Sequence, residues 1–304
     1  MCQVTISVFE LFQKYPDAGS ARKYFEERRW PEGVYCPFCG ETEKITTRKN
    51  GYYRCNSCKQ DFTVRTRTIF ERSHVPLNKW LYAMYLLLVS RKGISSLQMS
   101  KQIGVTQKTA WFMLQRLREA CGNDNTVLSG VVEIDEMYVG GKEINKHKSK
   151  KQNSGRGPVG KVPVVGMREK NGRVKAMPVS KVDMYSMTKL IEKNVEKGSG
   201  VHTDEHYAYD SLAKEYAHSK VSHRAGEYSS NGVTTNGIES VWAVMKRGLY
   251  GIYHSVSEKH LARYINEFAF RLNDGNVKRH TDARIASLYD NCIGTRIQYK
   301  ELIG

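Results

Sequence analysis

The chain has 304 residues, 40% of them hydrophobic, enough for two or three domains with their own cores. It carries 48 Lys and Arg against 31 Asp and Glu, a net charge of +17, which points to a polyanionic partner, nucleic acid ahead of an anionic membrane surface. The longest apolar run, Leu81–Val89, is well short of the roughly 20 residues a bilayer needs. The start Met-Cys-Gln-Val-Thr-Ile lacks a basic stretch ahead of an apolar core. The expectation is a cytoplasmic, nucleoid-associated protein with reduced thiols and no membrane partner.

Residues 1–32 read as a helical lead-in. Residues 33–72 are organised by cysteine. Cys36-Pro-Phe-Cys39 and Cys55-Asn-Ser-Cys58 are two Cys-x-x-Cys pairs with 15 residues between them, a zinc-ribbon spacing. Two such knuckles fill the four positions of a tetrahedral Zn²⁺, so the site is closed and its zinc structural. Gly40 and Lys59 suit the tight turns. Tyr52-Tyr53-Arg54 and Phe62-Thr63-Val64-Arg65 read as ribbon strands, and Arg65, Arg67 and Arg72 as a basic edge facing phosphate. Cys2, Cys121 and Cys292 stand alone and read as packing residues.

Residues 73–123 turn helical. Trp80, Met84, Leu87 and Leu88 recur at helical spacing. Ser95 or Ser96 caps a helix over Leu97–Ile103, Gly104 turns the chain, and Thr106 caps a second helix to about Ala120. Two short helices across a glycine turn match a helix-turn-helix. Gln107, Lys108 and Thr109 open the second helix, where base contacts arise, and Arg116 and Arg118 lie further along. Trp111 and Leu114 fit its buried face.

From about residue 124 strands and helices alternate. Val127–Ile134 reads as a strand ending at Asp135. After Gly140-Gly141 comes a stretch with seven Lys and Arg between 142 and 161, among them Lys150, Lys151 and Arg156, read as a loop that contacts DNA. Val162–Arg168 and Arg173–Ser180 read as a hairpin with a type I′ turn at Asn171-Gly172. A helix over Met184–Val195 precedes a short strand, Gly200–Thr203, that leads into Asp204. Ser211–Tyr216 reads as helix, Lys220–Ser222 as strand, and Ile238–Leu249 and Ser257–Leu272 as closing helices. This gives a domain over 124–280 and a tail over 281–304.

Acids at the ends of adjacent strands, completed by one on a helix, make a site for hard divalent cations. Asp135, Asp204 and Glu239 would hold two Mg²⁺ or Mn²⁺ ions on the attacking and leaving oxygens of a phosphodiester. Lys246, seven residues after Glu239, shares its helix face and would hold a phosphate. Strand alternation is read as turning Glu133 and Glu136 away from Asp135. Glu205 and His206 are candidates to support Asp204, and Asn236 is a lesser candidate for the third ligand.

The chain resembles the zinc-ribbon branch of the DDE-type insertion-sequence transposases nearly end to end. The resemblance rests on Arg29-Trp30-Pro31, the Cys36–Gly40 knuckle, Lys108-Thr109-Ala110-Trp111, Glu133-Ile134-Asp135-Glu136, Tyr138-Val139-Gly140-Gly141, Asn236-Gly237-Ile238-Glu239-Ser240, Lys246-Arg247-Gly248 and Gly251-Ile252-Tyr253-His254. The 34 residues between Asp204 and Glu239 match the family spacing. The resemblance implies a multidomain α/β chain: zinc ribbon, helix-turn-helix, then a ribonuclease-H-like mixed sheet. It implies cleavage at element ends and joining of the 3′-OH to target DNA, recognition of terminal inverted repeats, and a homodimer or larger assembly. The competing reading is a DNA-binding regulator whose nuclease-like domain is inactive.

Overall fold

A computed structural model describes residues 5–141, 147–151, 159–221 and 232–303. It divides into two compact units, residues 1–123 with 274–304, and residues 124–273.

The first unit opens with α1 (Val8–Lys14) and α2 (Ala18–Arg29). Each begins with a reciprocal capping box, Ser7 with Glu10 and Asp17 with Ser20, which satisfies backbone donors that a helix start leaves orphaned. Three short antiparallel strands follow in the order β1 (Ile45–Thr47), β2 (Tyr53–Cys55), β3 (Asp61–Phe62). Then come α3 (Leu77–Val89), α4 (Ser96–Ile103) and α5 (Gln107–Ala120). Ser95 and Thr106 cap α4 and α5, and Gly104 between them has φ 63°, the left-handed conformation glycine takes without steric cost.

The second unit is a five-stranded mixed sheet in the order β6-β5-β4-β7-β8. In chain order these are β4 (Val131–Val139), β5 (Val162–Glu169), β6 (Val174–Pro178), helix α6 (Met184–Asn194), β7 (Gly200–Thr203), a 3-10 helix (Tyr207–Lys214) and β8 (Ala217–Lys220). β4, β5 and β6 are antiparallel neighbours, while β7 and β8 run parallel to β4. This is the ribonuclease-H-like mixed sheet the resemblance implied. Helices α7 (Asn236–Gly248) and α8 (Glu258–Leu272) cover one face, with a π turn over Leu249–Tyr253 between them. α6 and the 3-10 helix cover the other.

β4 shows the alternation that governs the site. Met137 and Val139 pack with Ile238, Trp242 and Phe268 on the α7 face, and Val132 and Ile134 pack with Met187 and Ile191 on the α6 face. Four local expectations differ: the helix expected over Ser211–Tyr216 is the 3-10 helix Tyr207–Lys214, the strand expected over Lys220–Ser222 is Ala217–Lys220, and β4 and the hairpin turn depart as follows. β4 begins four residues later than expected and runs past Asp135 to Val139, so the aspartate lies mid-strand. The hairpin forms, but only Asn171 of its turn pair has positive φ (63°), so it is not type I′, which needs both.

The chain then returns to the first unit with α9 (Thr281–Cys292) and α10 (Tyr299–Ile303). Residues 281–304 are therefore not an appended tail, and the second unit closes at Asn273, short of 280. The reason is burial: Tyr289 is fully enclosed, its ring 4.7 Å from Phe25 and 6.1 Å from Phe70, and its hydroxyl donates to Phe25 O. Each aromatic pair adds about 0.5–1.5 kcal/mol beyond burial. Buried Arg284 donates to Leu88 O and Thr281 Oγ1.

Candidate active site and zinc centre

β7 pairs with the first half of β4, Glu133 opposite His202. Carrying that parallel register two residues further sets Asp204, just beyond β7, alongside Asp135. The two half-buried carboxyls interact electrostatically. Burial pushes Asp135 up to about 6, and the charges of Glu136 and Asp204 push the same way, against the bonds it accepts from Glu136 N–H and Trp242. Asp204 Oδ1 accepts from His206 N (3.0 Å), which fixes the carboxylate to its own loop.

Helix α7 is tied to β4 and β5 by polar bonds at three levels. Glu133, buried, accepts from Ile238 N at 2.8 Å, supplying the cap that Thr235 does not and placing a carboxylate at the positive end of the helix. Arg168 on β5 donates to Gly237 O (2.6 Å) and Ser240 Oγ (2.9 Å). Trp242 Nε1 donates to Asp135 Oδ2 at 2.8 Å. Two glycines make the approach possible. A Cβ at Gly237 would lie 2.3 Å from Glu133 Oε2. A Cβ at Gly166, which pairs with Asp135 across β4–β5, would lie 2.4 Å from Trp242 Cη2.

The expectation that alternation turns both glutamates away fails for Glu133. It lies two residues from Asp135, so both face α7, and Glu133 caps that helix. Glu136 faces the α6 side, yet its carboxyl still feels Asp204 and His206 and accepts from Tyr209 OH at 2.7 Å. Burial raises its pKa.

Glu239 sits in the first turn of α7, exposed, with the Thr235 hydroxyl 3.3 Å from its Oε1. Asn236 opens the same helix and is exposed, and Lys246 is exposed near its end. The structure does not draw Asp135, Asp204 and Glu239 into one tight cluster. Among the described residues, the cysteines are the only group of three or more such side chains whose ligand atoms all lie within 4.8 Å of one another. The paired aspartates nonetheless fit a divalent cation, because hard oxygen donors that repel one another are relieved by positive charge between them. Sequence reasoning missed Trp242, Gly166, Arg168 and Tyr209 as supports of this site. Only the spacing of three between Glu239 and Trp242 hinted at one of them.

In the first unit the four cysteines converge. Sγ of Cys36 is 3.6 Å from Cys58 and Cys39 is 3.7 Å from Cys55. A Zn–S bond of about 2.3 Å in a tetrahedron places sulfurs about 3.8 Å apart, so the cluster fits zinc. Gly40 (φ 79°) and Lys59 (φ 59°) turn the two knuckles. Glu41 ties them together: Ser57 Oγ donates to it at 2.6 Å, and the N–H groups of Thr42, Glu43 and Lys44 point at its other oxygen. These bonds, Ser57's first, hold its carboxyl at about 2.

Gln107 and Lys108 are exposed at the start of α5, while Thr109 is half-buried and bonded to the Thr106 cap. Lys108 lies over the Tyr299 ring of α10 at 5.1 Å. Two arginines of the edge read as facing phosphate bond backbone carbonyls. Arg65 donates to Ser73 O and Val75 O, and Arg67 to Pro37 O. Arg116 is buried, donating to Ile69 O and Glu71 O, and Arg118 is buried too. Lys151 is exposed, whereas the Lys150 side chain and Arg156 lie outside the described residues.

The chain thus carries a zinc-fitting cysteine cluster in one unit and a mixed sheet with paired aspartates in the other, the arrangement expected of a transposase. Residues 127–273 match the ISXO2-like transposase domain, and residues 16–61 match the transposase zinc-ribbon domain. An uncharacterized protein in transposable element ISH50 of Halobacterium salinarum is 31% identical over 259 residues, covering 80% of this chain and 86% of that protein. The chain belongs to the zinc-ribbon, ISXO2-like family of DDE-type insertion-sequence transposases. No helix among the described residues is long and apolar enough to cross a membrane.

Proposed function

We propose that the chain cleaves DNA at the ends of its insertion sequence and joins the freed 3′-OH to target DNA. Asp135, Asp204 and Glu239 hold the divalent ions, Mg²⁺ or Mn²⁺. The pairing of Asp135 with Asp204 across β4 and β7, with α7 bonded to that pair through Trp242, carries the reading. Bound there, the ions would polarise the phosphodiester and supply the nucleophile. The protein's own groups do the positioning. Trp242 and the Asp204 loop orient the two aspartates, and Glu239 closes on them from the first turn of α7. Lys246, on the same helix face, offers its ammonium to a phosphate oxygen. No side chain forms a covalent intermediate.

The first unit supports the same reading. Cys36, Cys39, Cys55 and Cys58 hold a structural zinc. Gln107, Lys108 and Thr109 contact the terminal inverted repeats, and Lys150, Lys151 and Arg156 contact DNA beside the active site. Two ends must be held together, which calls for a homodimer or a larger assembly. The test is Mg²⁺-dependent cleavage of the element's own end DNA, with Asp135→Asn beside wild type. Cleavage by wild type alone is expected. Equal activity in both removes the assignment, and binding without cleavage in wild type favours a regulator.

A further inference from the structure

A second recess in the catalytic unit lies beyond the far end of β4. It is a cleft of about 690 Å³ lined by Tyr138, Gly140, Gly141 and Lys161 on the sheet side and by Tyr250 and His254 on the other. None of these residues has a part in the metal site. The cleft is of ligand size, within the usual 300–1,000 Å³ or so of small-molecule sites.

Its wall is built with unusual backbone. The helix α7 does not simply end; it widens into the π turn Leu249–Tyr253, a form concentrated at functional sites. His254 follows at φ 59°, ψ −52°, with Ser255 N donating back to Tyr253 O. That is a γ-turn of the rare positive-φ kind, which a non-glycine residue adopts only when its surroundings impose it. The surroundings are visible: Tyr253 OH donates to buried Glu267 at 2.8 Å, pinning the turn to α8. The effect is to hold Tyr250 outward, 51% exposed although it is a large aromatic. Gly141 also lines the cleft, and among the described residues a Cβ there would meet nothing within 4 Å.

The cleft also lies in line with the metal site. Tyr250 is four residues after Lys246, which is seven after Glu239, so the three share a helix face. The eleven residues from Glu239 to Tyr250 span about 16 Å of helix, or about five stacked nucleotides at 3.4 Å each.

We propose that this cleft binds an unpaired nucleotide of the DNA strand that runs through the active site, its base against Tyr250 and its phosphate at Lys161 and the Gly140-Gly141 backbone. This rests on the strand-cleavage reading above. An intact duplex is the poorer occupant, because its bases are stacked on one another and present no face to a tyrosine ring. Aromatic stacking accepts any base, so the site selects for strand separation and not for sequence.

The test uses the full-length protein and a short single-stranded oligothymidylate carrying one 5-iododeoxyuridine, against a blunt duplex, at salt high enough to suppress general charge attraction. Irradiation is expected to crosslink the iodinated base to Tyr250. Tyr250→Ala is expected to weaken single-strand binding by about 5- to 150-fold, the worth of one stacked base, with duplex binding little changed. Tyr250→Phe, which keeps the ring, should restore it. Unchanged single-strand binding and crosslinking in Tyr250→Ala overturns the proposal. Equal losses on single strand and duplex overturn it in favour of a backbone contact. Wild type that cleaves end DNA without crosslinking in the cleft refutes the cleft alone, whereas wild type that neither binds nor cleaves refutes the strand-cleavage reading with it.

Discussion

Gly166→Ala should damage the active site without touching any proposed ligand. The new methyl would stand 2.4 Å and 2.6 Å from Trp242 Cη2 and Cζ2 and 2.8 Å from Ile238 Cδ1. Carbon atoms pack at about 3.5–4.0 Å, so the indole must retreat by about 1 Å or more. It has little room, being 4% exposed and enclosed by Ile238, Val241 and Met245. Overpacking of this kind costs about 1–3 kcal/mol. Movement also breaks the bond from Nε1 to Asp135, and a hydrogen bond to a charged group contributes about 1.5–3 kcal/mol. The expected total is about 2.5–6 kcal/mol of stability. A shift of about 1 Å at a reacting centre costs about 100-fold in rate, and that is the expected loss of Mg²⁺-dependent cleavage. Urea unfolding and end-DNA cleavage measure the two quantities. Trp242→Phe, which removes the Nε1 donor and some ring volume without adding any crowding at Gly166, should lose cleavage as well. Wild-type cleavage by Gly166→Ala would refute the claim that Trp242 orients Asp135.

Asp135→Asn should stabilise the metal-free protein in a pH-dependent way. The Asp135 pKa is raised to about 6 in the fold from 3.8, so its stabilising contribution is present below about 4 and lost as pH rises through about 6. Above that, carrying the buried charge costs up to about 3 kcal/mol, which the amide avoids; urea melts at pH 4 and pH 8 showing the same difference between mutant and wild type would contradict this. Cys36→Ser should abolish stoichiometric zinc and loosen the ribbon, and a protein that keeps its full zinc content on metal analysis would refute the centre. Gly237→Ala should displace the Glu133 cap and cost about 1–3 kcal/mol, read as a lowered urea midpoint, since the new Cβ falls 2.3 Å from a carboxylate oxygen that α7 needs. Lys108→Ala should reduce the slope of log affinity against log salt for end DNA by about 1, and an unchanged slope would show that this lysine leaves phosphate alone.

Much of the chain is legible because its signals are local. The two cysteine knuckles are, because a thiolate pair two residues apart reaches one ion whatever the rest of the fold does. The α4–α5 turn is, because Ser95, Gly104 and Thr106 satisfy or release their own neighbours' backbone. So are the strands and helices of the second unit, whose apolar periods differ. The bonds of the arginines are not legible, for the complementary reason. Which backbone carbonyls Arg65, Arg67 and Arg116 meet depends on residues eight to 47 positions away, as with Arg116 and Ile69 O, and a sequence shows only that the charge exists.

The acids divide the same way. Sequence alone identified Asp135, Asp204 and Glu239 as candidates and their residue spacing, but its reading turned Glu133 away from Asp135, although a residue two positions along a strand shares its face. Only the tertiary structure decided what each carboxyl meets there: Glu133 a helix start, Asp135 an indole, Glu136 a tyrosine hydroxyl. It also decided that Gly166 leaves room for that indole and that α9 belongs to the first unit through Tyr289. Local patterns report a residue's relation to the few residues beside it, where bond geometry and periodicity are set. Burial, charge pairing and close approach join residues that are distant along the chain, and those come into being only when the elements pack.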